Sequence, residues 1–314
     1  MTPTNKAFLQ IHFCVVLWGF TAILGKVITL AALPLVWWRM LMVTAALALV
    51  PRVWRGLRAM PRRLLWAYAG IGVLVALHWL TFYAAIKLSN ASIAATCIAL
   101  ATVFTAMVEP WLARSRFSRR DFMLGVAVLP GVALVVGGVP DGMRIGIVVG
   151  AVSALLVALF GSLNKRLVEH ADPLTVTALE LGAGTLALTL LAPVLPYILP
   201  VLGDTDLLTL PSARDIGWLL VLALGCTLLP FALSLAALRH MSAFSAQLAV
   251  NLEPVYAIAL AIVLLGEQHE LSLQFYLGVA IILIAVFIYP LLGKPRRGGH
   301  PEMLATAESK IVVE

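Results

Sequence analysis

Apolar positions in this chain neither alternate nor fall into a narrow stripe. They run on for about twenty residues at a time, the length of an α-helix that crosses a bilayer's hydrocarbon. Ten such runs stand at 7–29, 34–50, 64–86, 91–113, 122–139, 145–168, 173–196, 213–238, 243–265 and 273–292, joined by short polar segments. They predict ten transmembrane helices and leave no stretch for a soluble domain. The first run contains Lys26 and is longer than the roughly 7–15 apolar residues of a signal peptide, so it is expected to be retained.

The joining segments carry charge unevenly. With the N-terminus in the cytoplasm, the inner side holds Lys6, then Arg52, Arg55, Arg58, Arg62 and Arg63, then Arg114, Arg116, Arg119 and Arg120. It also holds Lys165, Arg166, Arg239, Lys294, Arg296, Arg297 and Lys310, which makes 17 of the 22 basic residues. The outer side holds only Lys87, Arg144 and Arg214, and Lys26 and Arg39 fall within spans. Cytoplasmic loops carry such an excess of Lys and Arg. The expectation is a multi-pass protein of the plasma (inner) membrane with both termini cytoplasmic and the loop bearing Asp204 and Asp206 outside.

Composition narrows the function. The 314 residues are 62% hydrophobic and 12% charged, with a mean hydropathy of +1.02. Soluble domains have about 45–50% apolar and about 25% charged residues, so a soluble enzyme, a nucleic-acid binder and a disordered protein are excluded. The net charge of +7 lies in membrane-flanking loops and marks topology. Cys14, Cys97 and Cys226 sit inside apolar runs without metal-ligand spacing and read as small buried hydrophobes. No G-x-S-x-G, H-E-x-x-H, P-loop or G-x-G-x-x-G occurs, so the chain is read as no enzyme, with no cofactor and no metal site.

The chain also repeats itself. The stretch from Ala84, AAIKLSNASIAATCIALATVFTAMVEP, aligns at an offset of 152 with the stretch from Ala236, AALRHMSAFSAQLAVNLEPVYAIALAIVLLGE. Lys87 falls on Arg239, Ala91 on Ala243 and Phe104 on Tyr256, while Pro34-Leu35 and Pro173-Leu174 both open a span. Five spans per copy is an odd number, so the second copy enters the membrane from the opposite side, as in many alternating-access transporters. The predicted units are 7–140 and 145–292, followed by a flexible cytoplasmic tail at 293–314.

Several segments resemble the EamA-type branch of the drug/metabolite transporter superfamily. They are LWGFTAILGK (Leu17–Lys26), the Pro34…Arg39 opening of span two, AAIKLSNASIA (Ala84–Ala94) and NLEPVYAIALAIVLLGE (Asn251–Glu267). The resemblance implies a fold of two five-helix repeats that moves amino acids, other metabolites or drugs. The first copy departs from the pattern, because it keeps Glu109 and lacks a terminal Gly-Glu.

Ionisable groups in a span cost at least about 2.5–3.5 kcal/mol on insertion scales, so each needs a reason. Here they are His12, Lys26, Arg39, His78, Glu109, Glu180 and Glu253, with Asn164, Gln247 and Asn251 as polar company. Glu253 precedes Pro254, which frees a backbone carbonyl one turn earlier. Glu253 is therefore a candidate proton or substrate site, or else the partner of a buried Arg. Gln247 and Asn251 are four residues apart and share a helix face. Arg39 suits an anionic headgroup or an ion pair. His78 titrates in the range of a proton gradient, or is simply packed.

Trp18 at mid-depth reads as a cavity wall, Trp79 and Tyr83 stand one turn apart, and Tyr256 is one turn from Glu253. Lys26, Glu109 and Glu180 are candidate gating groups, with interface snorkelling or structural pairing as alternatives. The substrate-binding set is then Trp18, Arg39, His78, Trp79, Tyr83, Gln247, Asn251, Glu253 and Tyr256, with Glu253 and His78 for proton coupling. The cavity is expected between spans one, three, four, six, eight and nine.

The resulting expectation is an all-α integral membrane protein of ten helices in two inverted repeats that exports a metabolite such as an amino acid, with proton coupling. Uncoupled exchange, a cation or drug carrier of the same fold, an intramembrane enzyme and a scaffold are the alternatives. Its partners are a small-molecule substrate and the lipid bilayer, with no nucleic acid; homodimer formation is left open.

Overall fold

The computed structural model describes residues 2–198, 206–207 and 209–291; Asp204 and the tail from 293 lie outside them. Helices stand at all ten predicted positions. They are α1 (Pro3–Val27), α2 (Ala32–Ala48), the short α3 (Pro51–Ala59), α4 (Arg62–Leu88), α5 (Ala91–Leu112), α6 (Arg119–Gly137), α7 (Arg144–Leu167), α8 (Pro173–Leu191), α9 (Ala213–Leu238), α10 (Ala243–Leu265) and α11 (Leu273–Leu291). Eight helices among the described residues are long and apolar enough to cross a membrane; α2 has 17 residues, and in α11 the shorter apolar stretch is Leu273–Ala285.

Local chemistry sets the ends. Asn90, Ser118, Asp172, Ser212 and Ser242 each accept a backbone N–H three residues on, at the starts of α5, α6, α8, α9 and α10, which satisfies donors that a helix start leaves open. Gly266 closes α10 at φ +71°, a left-handed conformation that costs glycine little. The second span ends in a bend that hydropathy alone does not foresee. Val50 before Pro51 is extended, and α3 leaves α2 at 91°, because a residue preceding proline is pushed out of the helical region.

Several of the main helix pairings recur when the first five spans are exchanged with the last five, although the close α5–α6 contact has no like contact between α10 and α11. The α4–α7 contact has its counterpart in α9–α1, α5–α7 in α10–α1, and α4–α8 in α9–α2; α2–α8 and α6–α11 are their own counterparts. Close approaches use glycine, as in membrane helix pairs generally. At the α6–α11 crossing, a Cβ on Gly131 would stand 2.7 Å from the Gly278 carbonyl oxygen.

Both α5 and α10 break midway, at Ile98–Ala99 and at Asn251–Leu252. Pro254 explains the second break, since it cannot donate to the carbonyl of Val250. Its counterpart at the repeat offset is Thr102, whose hydroxyl accepts from the Asn251 side-chain amide. The two breaks are thereby bonded to each other.

The outer surface is apolar. Trp111 is 85% exposed, Val263 79% and Leu190 69%. A continuous exposed surface of this kind suits hydrocarbon rather than water.

Candidate functional site

A cavity of about 120 Å³ lies between the two sets of five helices. Its aromatic walls are Trp18 on α1, Trp79 and Phe82 on α4, Phe160 on α7 and Phe231 on α9; its polar wall is Arg39, His78, Gln247, Ser234, Thr21 and Glu253. Helices α1, α4, α5, α7, α9 and α10 all contribute, the six expected from the sequence. α2 contributes as well, through Arg39.

Arg39 is 2% exposed. Its Nε donates to the Thr227 hydroxyl and its Nη1 to the Tyr83 hydroxyl at 2.9 Å. Its guanidinium carbon stands 3.9 Å from the centroid of the Trp79 ring, within cation–π range. A guanidinium has five N–H donors, so those left over are available to a bound molecule. No carboxylate forms an ion pair with it among the described residues. Tyr83 thus serves the site through Arg39, from behind the wall.

Thr227 was not foreseen. It lies in a wide π-type stretch of α9, Val221–Leu228, where its hydroxyl donates to the Leu222 carbonyl five residues back, at 2.6 Å. Such bulges cluster at functional sites. The available signal was Pro230, which has no N–H to continue the ordinary ladder.

Glu253 begins the second half of α10 and is 6% exposed. No N–H or O–H among the described residues donates to its carboxylate, which faces the cavity. Gln247 lines the same wall, and its Nε2 has no protein partner. Asn251, whose backbone N–H bonds the Gln247 carbonyl one turn back, is not part of the cavity lining, and its side-chain amide donates to the Thr102 hydroxyl. Tyr256 lies outside the cavity lining and is 40% exposed.

His78 is clamped by Ser153 of α7. Its Nδ1 stands 3.0 Å from the Ser153 carbonyl and 2.8 Å from the Ser153 hydroxyl. A carbonyl only accepts, so the network assigns the proton to Nδ1, which leaves Nε2 as the ring's free nitrogen.

The gating candidates lie apart from the cavity. Lys26 is exposed in the last turn of α1. Glu109 accepts from the backbone N–H groups of Ala243 and Phe244 at the start of α10, at 3.0 and 2.8 Å. Glu180 is fully buried and receives the Asn164 side-chain amide at 3.3 Å. His12 is exposed, its Nδ1 2.8 Å from the Phe8 carbonyl. Among the described residues, no group of three His, Cys, Asp or Glu side chains could hold a metal ion.

An apolar-surfaced helical bundle with a polar-tipped cavity between matched halves defines a multi-pass membrane transporter of small molecules. The model of the EamA-like transporter family matches residues 5–137 and 144–289. The chain belongs to that family and carries its unit twice. A solved structure described only as "Crystal structure of protein" is similar in fold, with a TM-score of 0.64 at 16% identity over 92% of this chain and 97% of that one. No curated protein matches.

Proposed function

We propose that the chain is a secondary transporter that exports small amphipathic metabolites such as amino acids across the inner membrane, by alternating access between two inverted five-helix repeats, with proton coupling. One observation carries the reading: Arg39 and Glu253, one cation and one carboxylate, line the same otherwise aromatic and aliphatic cavity without pairing. A zwitterion fits such a wall. Its carboxylate meets the free N–H groups of Arg39, its ammonium meets Glu253, and its apolar body lies among Trp18, Trp79 and Phe231. Gln247 supplies a further donor. Glu253 or His78 carries the proton, and Lys26, Glu109 and Glu180 are the gating candidates.

The helix pairings that do recur between the halves, α4–α7 with α9–α1 and α5–α7 with α10–α1 among them, support alternating access. With both termini in the cytoplasm, the cavity runs from mid-depth Arg39 and Glu253 down to Leu238 and Ala243 at the inner helix ends. On the outer side, Thr29 bonds Asp215 at 3.0 and 2.6 Å, and Lys87 donates to the Ile28 carbonyl at 2.6 Å. On this reading the conformation faces inward. The test is movement of a labelled amino-acid and metabolite pool in proteoliposomes with and without a pH gradient. Accumulation that collapses with the gradient supports the reading. Exchange indifferent to the gradient removes the proton from it, and no movement of any pool member by folded protein contradicts it.

A further inference from the structure

Arg52, Arg55 and Arg58 recur every third residue along one side of α3, opposite Val53, Gly56, Leu57 and Met60. The apolar side seats α3 on the bundle. Val53 and Met60 are buried, Gly56 lies against Thr175 at the start of α8, and Arg52 pairs with Asp172. Because α3 leaves α2 at 91°, it runs along the bundle's end rather than through the membrane. Trp54 on α3 and Trp66 at the start of α4 are 49% and 78% exposed, and Leu49 at the bend is 84% exposed. Such aromatic side chains settle at headgroup depth.

Four cations on this surface have no protein counter-charge. Arg55, Arg58, Arg62 and Arg63 are exposed, and among the described residues none of the four forms an ion pair, unlike Arg52 with Asp172. We infer that α3 and the start of α4 form a docking surface for anionic phospholipid headgroups. The guanidinium groups take the phosphates in forked hydrogen bonds, and the acyl chains cover Leu49, Trp54 and Trp66. Free phosphate satisfies only the first half of that surface. Since α3 belongs to the first repeat and rests on α8 of the second, a bound headgroup fastens one repeat to the other.

The test uses the full chain in detergent, with added phosphatidylglycerol, phosphatidylcholine or inorganic phosphate. Thermal unfolding and native mass spectrometry read stability and retained lipid. Phosphatidylglycerol should be retained and should raise the unfolding temperature; phosphatidylcholine and phosphate should do neither. Replacing all four free arginines by Gln should weaken phosphatidylglycerol binding by about six-hundredfold, at about fivefold per arginine near an anionic surface. Arg119→Gln, in the other basic loop, should leave it unchanged. Should the fourfold variant fail to fold, salt titration of the parent protein decides, since the lipid effect must fade as salt screens the arginines. Equal effects of the two lipids, full binding by the fourfold variant, a phosphate effect equal to the lipid's, or indifference to salt would each overturn the proposal.

Discussion

Glu109 and Glu267 cap each other's helices. Glu109, near the end of α5, accepts from Ala243 and Phe244 at the start of α10. Glu267, just past α10, accepts from the backbone N–H groups of Ala91 and Ser92 at the start of α5, at 3.1 and 3.0 Å, and from the Ser92 hydroxyl at 2.6 Å. A carboxylate at a helix start satisfies open N–H donors and complements the helix dipole. The pair ties α5 to α10 at both ends, with the Asn251–Thr102 bond between.

Glu267→Gln is expected to be the costlier replacement, because Glu267 receives three hydrogen bonds and Glu109 two. Hydrogen bonds to charged groups contribute about 1.5–3 kcal/mol each, and a neutral amide keeps only part of that. The unfolding temperature should fall in both variants, further for Glu267→Gln, and the double variant should show the sum, since the caps share no partner. Equal and negligible shifts would show that water replaces the caps.

Gly72 and Gly70 lie two residues apart on α4 and should respond oppositely. A Cβ on Gly72 would run into the backbone of Glu180 on α8, whereas nothing lies within 4 Å of one on Gly70. Gly72→Ala should destabilise by about 1–3 kcal/mol, as overpacking does. Gly70→Ala should be neutral or stabilise by up to about 1 kcal/mol through helix propensity. Thermal unfolding of the two variants side by side checks both.

Arg39→Lys should fail to restore transport. An ammonium cannot lie flat on the Trp79 ring while bonding both Thr227 and Tyr83. The expected result is a KM raised by about tenfold or more, the loss of one charge-assisted hydrogen bond or stacked contact. Wild-type KM in Arg39→Lys would show that charge alone is needed there.

Topology is open to direct labelling, because Cys14, Cys97 and Cys226 are all buried and should resist a membrane-impermeant maleimide. Ser115→Cys should be labelled only from the cytoplasmic side and Gly142→Cys only from outside. The reverse pattern would invert the orientation and make this an outward-opening state.

The spans were legible because about twenty successive apolar residues have few other homes, and Arg39, His78 and Glu253 stood out as ionisable groups too costly to leave in lipid, whereas Phe82, Phe160 and Phe231, ordinary in any span, did not. The wide turn at Thr227 was not legible, because it depends on where the helix ladder slips. The same holds for Asn251, whose partner Thr102 lies on another helix. In the sequence the first copy departs from the pattern, with Glu109 and no terminal Gly-Glu. The structural counterpart of Glu109 is Glu267, and only the exchange of caps in three dimensions shows it.

The account rests most on the carboxylate of Glu253, and Glu253→Gln tests it most directly. Gln keeps the shape and removes the exchangeable proton and the charge. In proteoliposomes the account predicts that gradient-driven accumulation of the transported metabolite disappears in Glu253→Gln while the protein remains folded. Accumulation at the wild-type rate, with the same dependence on the pH gradient, would contradict it.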